Sequence, residues 1–308
     1  MTIILHRRRR FNWQVFLMAM LGVVFLLVFA YVPMFGIAIA FKNMDYSMNF
    51  MKDLVNKPWV GLENFAKFIH DAQFATVMTN TLMLGILELV CTFPLPILFA
   101  LLINELRSST FRRVAQTATY FPHFISWVVY GGIVTAFLSS DGGFINNVLM
   151  ALGVIQKPVN FMSEANAFYP IVIISTAIKE TGWGSVIYVA AIAGVDQQIY
   201  EAAQIDGANR RQTAFRVTLP CILPTVTIML LLALSGILGS GFDRIYMLQN
   251  PLNLAKSEVL DTYIYKVGLS QRRFSYTTAV GLFRSIIAVI LLGSGNWASK
   301  KLTGNGLF

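Results

Sequence analysis

Four charged side chains, Glu88, Lys179, Glu180 and Arg284, interrupt stretches of the sequence that are otherwise apolar. A charge in apolar surroundings needs a partner or water, so these side chains either form ion pairs or bind a charged solute. In the structural alternative, Glu88, Lys179 and Arg284 form ion pairs with each other or with Glu180. The functional alternative is that Lys179 or Arg284 binds the carboxylate of an acidic solute. Contact with a partner subunit is a third possibility.

The sequence lacks the patterns that indicate catalysis. It contains no G-x-S-x-G nucleophile motif, no H-E-x-x-H zinc motif and no G-x-x-x-x-G-K-[ST] phosphate-binding loop. His123 has no second His or Cys at metal-ligand spacing. We therefore expect no enzyme activity, no metal and no cofactor in this chain, and any energy from ATP must come from another subunit.

The composition is that of a membrane protein. Of the 308 residues, 56% are hydrophobic and 13% are charged, whereas a soluble domain carries about 25% charged residues. The apolar residues form six blocks, each long enough to cross a bilayer of about 30 Å at about 1.5 Å per residue. The sequence therefore predicts an all-α transmembrane bundle of about six spans. The blocks are Trp13–Phe41, Thr76–Ile103, Val114–Leu138, Phe168–Gly194, Pro220–Gly239 and Tyr276–Trp297.

Lys and Arg residues are distributed unequally among the segments that link these blocks. If the N-terminus is cytoplasmic, the cytoplasmic segments hold twelve Lys and Arg against four Asp and Glu, and the outer segments hold ten against nine. This bias predicts that both termini are cytoplasmic. Membrane lipid then accounts for the net charge of +9, and nucleic acid is not needed. The predicted organisation is a basic cytoplasmic segment (1–12), a transmembrane domain (13–297) and a cytoplasmic tail (298–308).

A mostly polar cytoplasmic segment, about residues 195–219, links the fourth and fifth blocks. Gln197–Ile205 is compatible with a short helix, and a second short helix would run from about Asn209 to Val217. The Asp-Gly pair between them is a turn signal, because Gly accepts the left-handed backbone that ends a helix. Two prolines, Pro220 and Pro224, suit the first turns of the next span. The sequence predicts a helix–Gly–helix hook, named here the coupling loop, at the membrane surface.

The coupling loop carries E-A-A, then three residues, then G, with an apolar residue and L-P further on. This pattern resembles the coupling loop of permease subunits of binding-protein-dependent ABC importers, although an ordinary amphipathic loop is the alternative. The resemblance implies that the loop docks into a groove of a separate ATPase subunit and transmits its closure to the spans. On this chain the coupling residues would be Glu201, Ala202, Ala203, Asp206, Gly207, Ala208 and Phe215, supported by Leu219 and Pro220.

Further segments extend the resemblance along nearly the whole chain. Asn80-Thr81, Tyr120–Trp127, Gly182-Trp183-Gly184 and the tail from Asn296 look like permeases for complex oligosaccharides, including alginate, rhamnogalacturonan-type and lipo-oligosaccharide systems. An oligosaccharide pathway would then use charged and aromatic side chains of the spans. The expected pathway residues are Glu88, Trp127, Lys179, Glu180, Trp183 and Arg284.

The resemblance also implies partners. These are a second permease subunit, two ATPase subunits that bind ATP and Mg, and an extracellular or periplasmic substrate-binding protein. The expected location is the bacterial cytoplasmic membrane, and the expected mechanism is alternating access driven by closure of the ATPase dimer. Other cargoes, namely a disaccharide, a polyol or glycerol phosphate, stay open. A secondary transporter, which would depend on an ion gradient, is the alternative from another class.

Overall fold

The computed structural model describes residues 12–47, 49–239, 241–304 and 306. These residues are predominantly helical and contain no strand, with one isolated bridge between Lys42 and Trp59. The predicted all-α class is confirmed, whereas the basic residues 7–10 and the last two residues lie outside the described part. The bounds of α1, α4, α5 and α10 include the π or 3₁₀ turns that are continuous with these helices. The helices of this part of the chain are α1 (Trp13–Phe41), α2 (Phe50–Asn56), α3 (Glu63–Ile69), α4 (Phe74–Asn104), α5 (Ser109–Phe124), α6 (Trp127–Leu138), α7 (Phe144–Ala151), α8 (Phe168–Ala193), α9 (Gln197–Ile205), α10 (Arg210–Ser235), α11 (Phe242–Leu248), α12 (Leu254–Ser257), α13 (Leu260–Tyr265) and α14 (Phe274–Thr303).

Four of these helices, α1, α4, α10 and α14, are long and apolar enough to cross a membrane, and the bent pair α5 and α6 would add a fifth span. The predicted fourth block forms one continuous helix of 26 residues, α8. Its apolar run is interrupted by Lys179 and Glu180. Helix α8 has the length of a span, but it falls outside the group that composition alone identifies.

The third block differs from the prediction of one span over Val114–Leu138. The structure places two helices there, α5 and α6, at an angle of 100°. Pro122 has no amide hydrogen to donate, and it lies in a 3₁₀ turn at the end of α5. Ser126 then begins a new helix, because its hydroxyl accepts a hydrogen bond from the amide of Val129 at 3.3 Å.

Helix α8 lies at the centre of the bundle and packs against α4, α5 and α10. In its C-terminal half, Tyr188 joins Ile97 of α4 and Ile222 of α10 in one apolar cluster. A second cluster, around Phe68 and Tyr276, joins α3, α13 and α14. Helix α1 is different, because no residue of its most apolar stretch is buried. Its surface must therefore face lipid or another chain.

The segments that the charge bias predicts to lie outside, called the outer segments, contain short helices that buried polar side chains hold in place. The Lys42 ammonium, at the end of α1, donates to the carbonyl oxygen of Leu54 in α2 at 2.6 Å and lies 4.9 Å from the ring centre of Trp59. The Asn64 amide in α3 donates to the carbonyl of Ala40 at 2.9 Å. These bonds fix α2 and α3 against the outer end of α1.

Candidate functional site

A cavity of about 380 Å³ lies between α4, α8 and the end of α10. Two carboxylates, Glu88 and Glu180, and the indole of Trp183 line it. The rest of the wall is largely small or apolar. Three of the six residues expected for the solute pathway thus share one cavity, which we call the central cavity.

Glu88 begins a π turn, Glu88–Thr92, directly before Pro94 and Pro96 in α4. A proline inside a helix removes one hydrogen bond and its ring collides with the carbonyl one turn earlier, so a wider turn upstream relieves the collision. The hydroxyl of Thr92 donates to the carbonyl oxygen of Glu88 at 2.7 Å and stabilises this turn. Wide turns of this kind often occur at functional sites.

Glu88 forms an ion pair with Arg244 of α11. The side chain of Arg244 is 11% exposed and that of Glu88 is 22% exposed. A second guanidinium nitrogen of Arg244 donates to the hydroxyl of Thr176, another residue of the cavity wall, at 3.4 Å. Arg244 therefore contacts two residues of the wall of the central cavity, one in α4 and one in α8.

The backbone around this pair is packed too closely for side chains. A Cβ atom at Gly85 in α4 would lie 2.2 Å from the carbonyl oxygen of Ile237. Gly241 has φ 69°, and a Cβ there would lie 2.9 Å from Nε of Arg244. Glycine at these positions lets α4 contact the segment after α10 and lets Arg244 lie along it.

Lys179 lies behind the cavity, and its side chain is 2% exposed. Its ammonium donates to the carbonyl oxygens of Pro122 at 3.0 Å and His123 at 2.7 Å. It also lies 3.7 Å from a carboxylate oxygen of Glu180 and 5.4 Å from the ring centre of Trp127. The lysine thus binds two carbonyls at the break between α5 and α6, and that of Pro122 also accepts the amide hydrogen of Ile125 at 3.2 Å.

Glu180 and Trp183 both contact His123. The second carboxylate oxygen of Glu180 lies 2.6 Å from Nδ1 of His123. The imidazole stacks on the indole of Trp183 with ring centres 4.7 Å apart and planes 5° apart. Since His123 covers one face of the indole, this contact fixes the orientation of Trp183 at the cavity wall.

Arg284 lies apart from the central cavity. It forms an ion pair with Asp261 of α13. Its guanidinium lies beneath Gly239, where a Cβ atom would be 2.7 Å from Nη2. Asp261 lines a separate cavity of about 310 Å³ with Phe242 and Tyr265. Trp127, beside Lys179, likewise does not line the central cavity, so the expected pathway residues fall in three places.

The first half of the coupling loop has the shape expected from its sequence. The predicted helix Gln197–Ile205 is confirmed as α9, and the carboxylate of Asp196 caps it by accepting the amide of Gln198 at 3.0 Å. Gly207 has φ 76°, the left-handed turn that its position predicted. Asn209 and Gln212 then form a reciprocal capping box, with hydrogen bonds of 2.9 and 2.8 Å.

The second half of the coupling loop differs from the prediction of a separate short helix. Helix α10 runs unbroken from Arg210 to Ser235, through a π turn at Thr213–Thr218 and past both prolines. The wide turn directly precedes Pro220 and removes the collision that would otherwise break the helix. The fifth predicted span therefore begins inside the coupling loop.

Apolar side chains are exposed on this otherwise polar loop. Ile205 is 86% exposed and Phe215 is 46% exposed. Glu201, Ala202 and Asp206 are also exposed. Exposed apolar groups next to charged ones are typical of a protein interface. The assignment of the individual coupling residues stays a prediction.

The sequence analysis missed the partners of the charges in the spans. Arg244 and Asp261 fall in segments that charge counting assigns to the outer side, 156 and 23 residues from Glu88 and Arg284. The available signal was the run of glycines at 236, 239 and 241, which allows close packing beside Arg244.

The comparison with protein families identifies the chain. A family described as "Binding-protein-dependent transport system inner membrane component" matches residues 92–304. This chain belongs to that family. It is accordingly a permease subunit in the bacterial cytoplasmic membrane, and it works with a second permease, with ATPase subunits and with an external substrate-binding protein.

Relatives cover nearly the whole chain. "Protein LplB" of Bacillus subtilis (strain 168) is 39% identical over 97% of this chain and 92% of its own length. The polygalacturonan/rhamnogalacturonan transport system permease protein YteP of the same organism is 39% identical over 95% and 89%. A bacterial ABC transporter involved in the import of the acidic polysaccharide alginate has a solved structure similar to this one, with a TM-score of 0.85, 38% identity, and coverage of 94% of this chain and 96% of that chain.

Proposed function

We propose that this permease subunit and a second one form the alternating-access pathway by which an oligosaccharide, delivered by an external binding protein, enters the cell. The comparisons with known proteins and the residues of the central cavity both support an oligosaccharide as the cargo. One relative's name includes polygalacturonan and rhamnogalacturonan, and the similar solved structure is of an alginate importer. In the central cavity, Glu88 and Glu180 can accept hydrogen bonds from sugar hydroxyls, and Trp183 offers an indole face to a ring.

The proposal includes six spans with both termini in the cytoplasm. The spans are α1, α4, the bent pair α5 and α6, α8, α10 and α14. Helix α8 has 26 residues, or about 39 Å at 1.5 Å per residue, which exceeds the bilayer core of about 30 Å. Its two charges have partners within the protein, Lys179 at backbone carbonyls and Glu180 at His123. The excess of Lys and Arg in the cytoplasmic segments supports this orientation.

The observation that carries the proposal is the geometry of the coupling loop. A short helix, a left-handed glycine and a capping box hold Glu201 and Ala202 exposed, and Phe215 lies at the start of α10. This loop therefore exposes charged and apolar groups side by side. The loop continues directly into α10, which reaches the central cavity at Ala233. A partner that moves the loop would therefore move the cavity wall.

The test uses the complete complex, with partner permease, ATPase subunits and binding protein, reconstituted in proteoliposomes. We expect ATP-dependent uptake of a uronate oligosaccharide. Glu201→Ala should lower uptake by at least tenfold while ATP hydrolysis persists, because the ATPase would no longer drive the spans. Glu105→Ala, a cytoplasmic carboxylate outside the coupling loop, is the control and should leave uptake unchanged.

Two results would contradict the proposal. Uptake that continues without ATP, and that depends on a proton or sodium gradient, would favour a secondary transporter. Uptake confined to a disaccharide, a polyol or glycerol phosphate would leave the importer mechanism intact and overturn the oligosaccharide cargo.

A further inference from the structure

The ion pair between Glu88 and Arg244 lies where the outer helices meet the central cavity. Glu88 lines that cavity, and Arg244 also donates to Thr176, which lines it from α8. The hydrogen bond to Thr176 is long, at 3.4 Å, and such bonds are weak. The guanidinium is therefore held firmly by the carboxylate of Glu88 and only loosely by α8.

The two cations within the spans, Lys179 and Arg284, are less suited to bind cargo. Lys179 is 2% exposed and donates to two carbonyl oxygens behind the cavity. Arg284 pairs with Asp261 away from the central cavity. Moving Lys179 away from these carbonyls would break two hydrogen bonds of a buried ammonium, which is costly. Arg244, in contrast, has an ionised neighbour that an anion from the cargo can replace.

The backbone before Arg244 is built from glycine. Gly236 and Gly239 follow α10, and Gly241 begins α11 with φ 69°. Because Gly241 has no Cβ, the side chain of Arg244 lies directly against the backbone. This arrangement directs the guanidinium toward Glu88 and leaves the adjoining segment free to adopt backbone angles that other residues resist.

We propose that Arg244 is a cargo-binding residue for the carboxylate of an acidic sugar, and that Glu88 is its resident partner when the cavity is empty. The inference rests on the proposed oligosaccharide function. A guanidinium forms two parallel hydrogen bonds with a carboxylate, so an acidic sugar competes effectively for it. Glu88 then accepts hydrogen bonds from hydroxyls of the same sugar, and no charge is left without a partner.

The experiment compares a uronate oligosaccharide with its carboxyl-reduced analogue of the same length, in the reconstituted complex. Removing one partner of a buried ion pair leaves a charge unpaired and destabilises the protein, whereas removing both is close to neutral. The decisive variant is therefore Glu88→Gln with Arg244→Gln. We expect it to assemble and to lower the ratio of acidic to reduced uptake at least tenfold.

A matched control is the pair Asp261→Asn with Arg284→Gln, which removes an ion pair of the same type outside the central cavity. It should leave the ratio of acidic to reduced uptake unchanged. Arg244→Lys keeps the charge but cannot form two parallel hydrogen bonds with a carboxylate, so it should raise KM for the acidic cargo several-fold more than KM for the reduced analogue. This single variant provides the test if the double variant does not assemble.

The outcomes separate this inference from the function on which it rests. If wild type imports the acidic oligosaccharide and both Arg244 variants import it equally well, the inference is wrong and the proposed function stands. An equal loss for both cargoes would show that the pair is structural, which also overturns the inference. If wild type imports neither cargo, the proposed function itself is wrong.

Discussion

Gly182 of α8 and Thr119 of α5 are in direct backbone contact. A Cβ atom at Gly182 would lie 2.1 Å from the carbonyl oxygen of Thr119. Helix α8 therefore touches α5 just before the break at Pro122, and the same turn of α8 carries Glu180 and Trp183 to the cavity wall. The close approach of these two helices sets the position of the cavity.

Gly182→Ala should separate the two helices, because a carbonyl oxygen cannot move aside as a side chain can. Overpacking of this kind typically costs about 1–3 kcal/mol. We expect a lower Tm for the purified complex and reduced uptake. Gly132→Ala is the control, since nothing lies within 4 Å of a Cβ at that helical position. Equal Tm values for both variants would contradict the argument.

Gly207→Ala tests the conformation of the coupling loop. Nothing lies within 4 Å of a Cβ at Gly207, so the only penalty comes from its φ of 76°. Left-handed backbone costs an ordinary residue about 1–2 kcal/mol, and Asn tolerates it better. Gly207→Ala should therefore lower the amount of sugar imported per ATP several-fold, and Gly207→Asn should retain most of it. A similar loss in both variants would mean that conformation is not the reason for glycine here.

Lys179→Met tests whether this lysine is structural. The change removes the ammonium that donates to the carbonyl oxygens of Pro122 and His123, and the loss of hydrogen bonds from buried groups costs about 1–3 kcal/mol. We expect a clear fall in Tm and no change in the ratio of acidic to reduced cargo imported. The control is Lys67→Met, whose ion pair with Glu63 is about half exposed. A cargo-selective loss with an unchanged Tm would instead support a pathway role for Lys179.

Tyr263 anchors the outer helices through its hydroxyl. It donates to the carboxylate of Asp71 at 3.1 Å and lies 2.8 Å from the hydroxyl of Tyr276, which also bonds Asp71 at 3.0 Å. Tyr263→Phe should lower the free energy of unfolding by about 1–3 kcal/mol, because it removes the buried hydrogen bond that the phenol donates to Asp71. Tyr46→Phe, at a tyrosine that is 65% exposed, should have little effect. Thermal unfolding of the purified complex measures both.

The same tyrosine predicts a limit at alkaline pH. Burial raises the pKa of Tyr263 to about 12, whereas a tyrosine in the unfolded chain has a pKa of about 10. The unfolded state therefore loses its proton first, and this contribution to stability is constant below about pH 10 and falls as the pH rises toward 12. Wild type should show this decline in Tm more steeply than Tyr263→Phe.

Local patterns predicted much of the fold and of the coupling loop. The first block, Trp13–Phe41, coincides with α1 because a long apolar run has one stable form in a membrane. The bounds of α9 follow from Asp196, which caps its start, and from Gly207 just after its end. In these cases the residues that determine the structure are neighbours in sequence.

The remaining features depend on residues that are distant in sequence. Pro122 gave a local sign of the break between α5 and α6, but the 100° angle also depends on the contact between Gly182 and Thr119. The partner of Glu88 is 156 residues away, at Arg244. No periodicity or composition relates such pairs, so the sequence indicated which charges needed partners without indicating which partners they have.

The continuity of α10 has a mechanical consequence. Its 26 residues form a rod of about 39 Å that begins at the coupling loop and ends beside Gly236. If this helix pivots about a point within the bilayer, its two ends move in opposite directions. Inward motion of the coupling loop would then swing Ala233 outward past a stationary Arg244, because the glycines between them absorb the rotation.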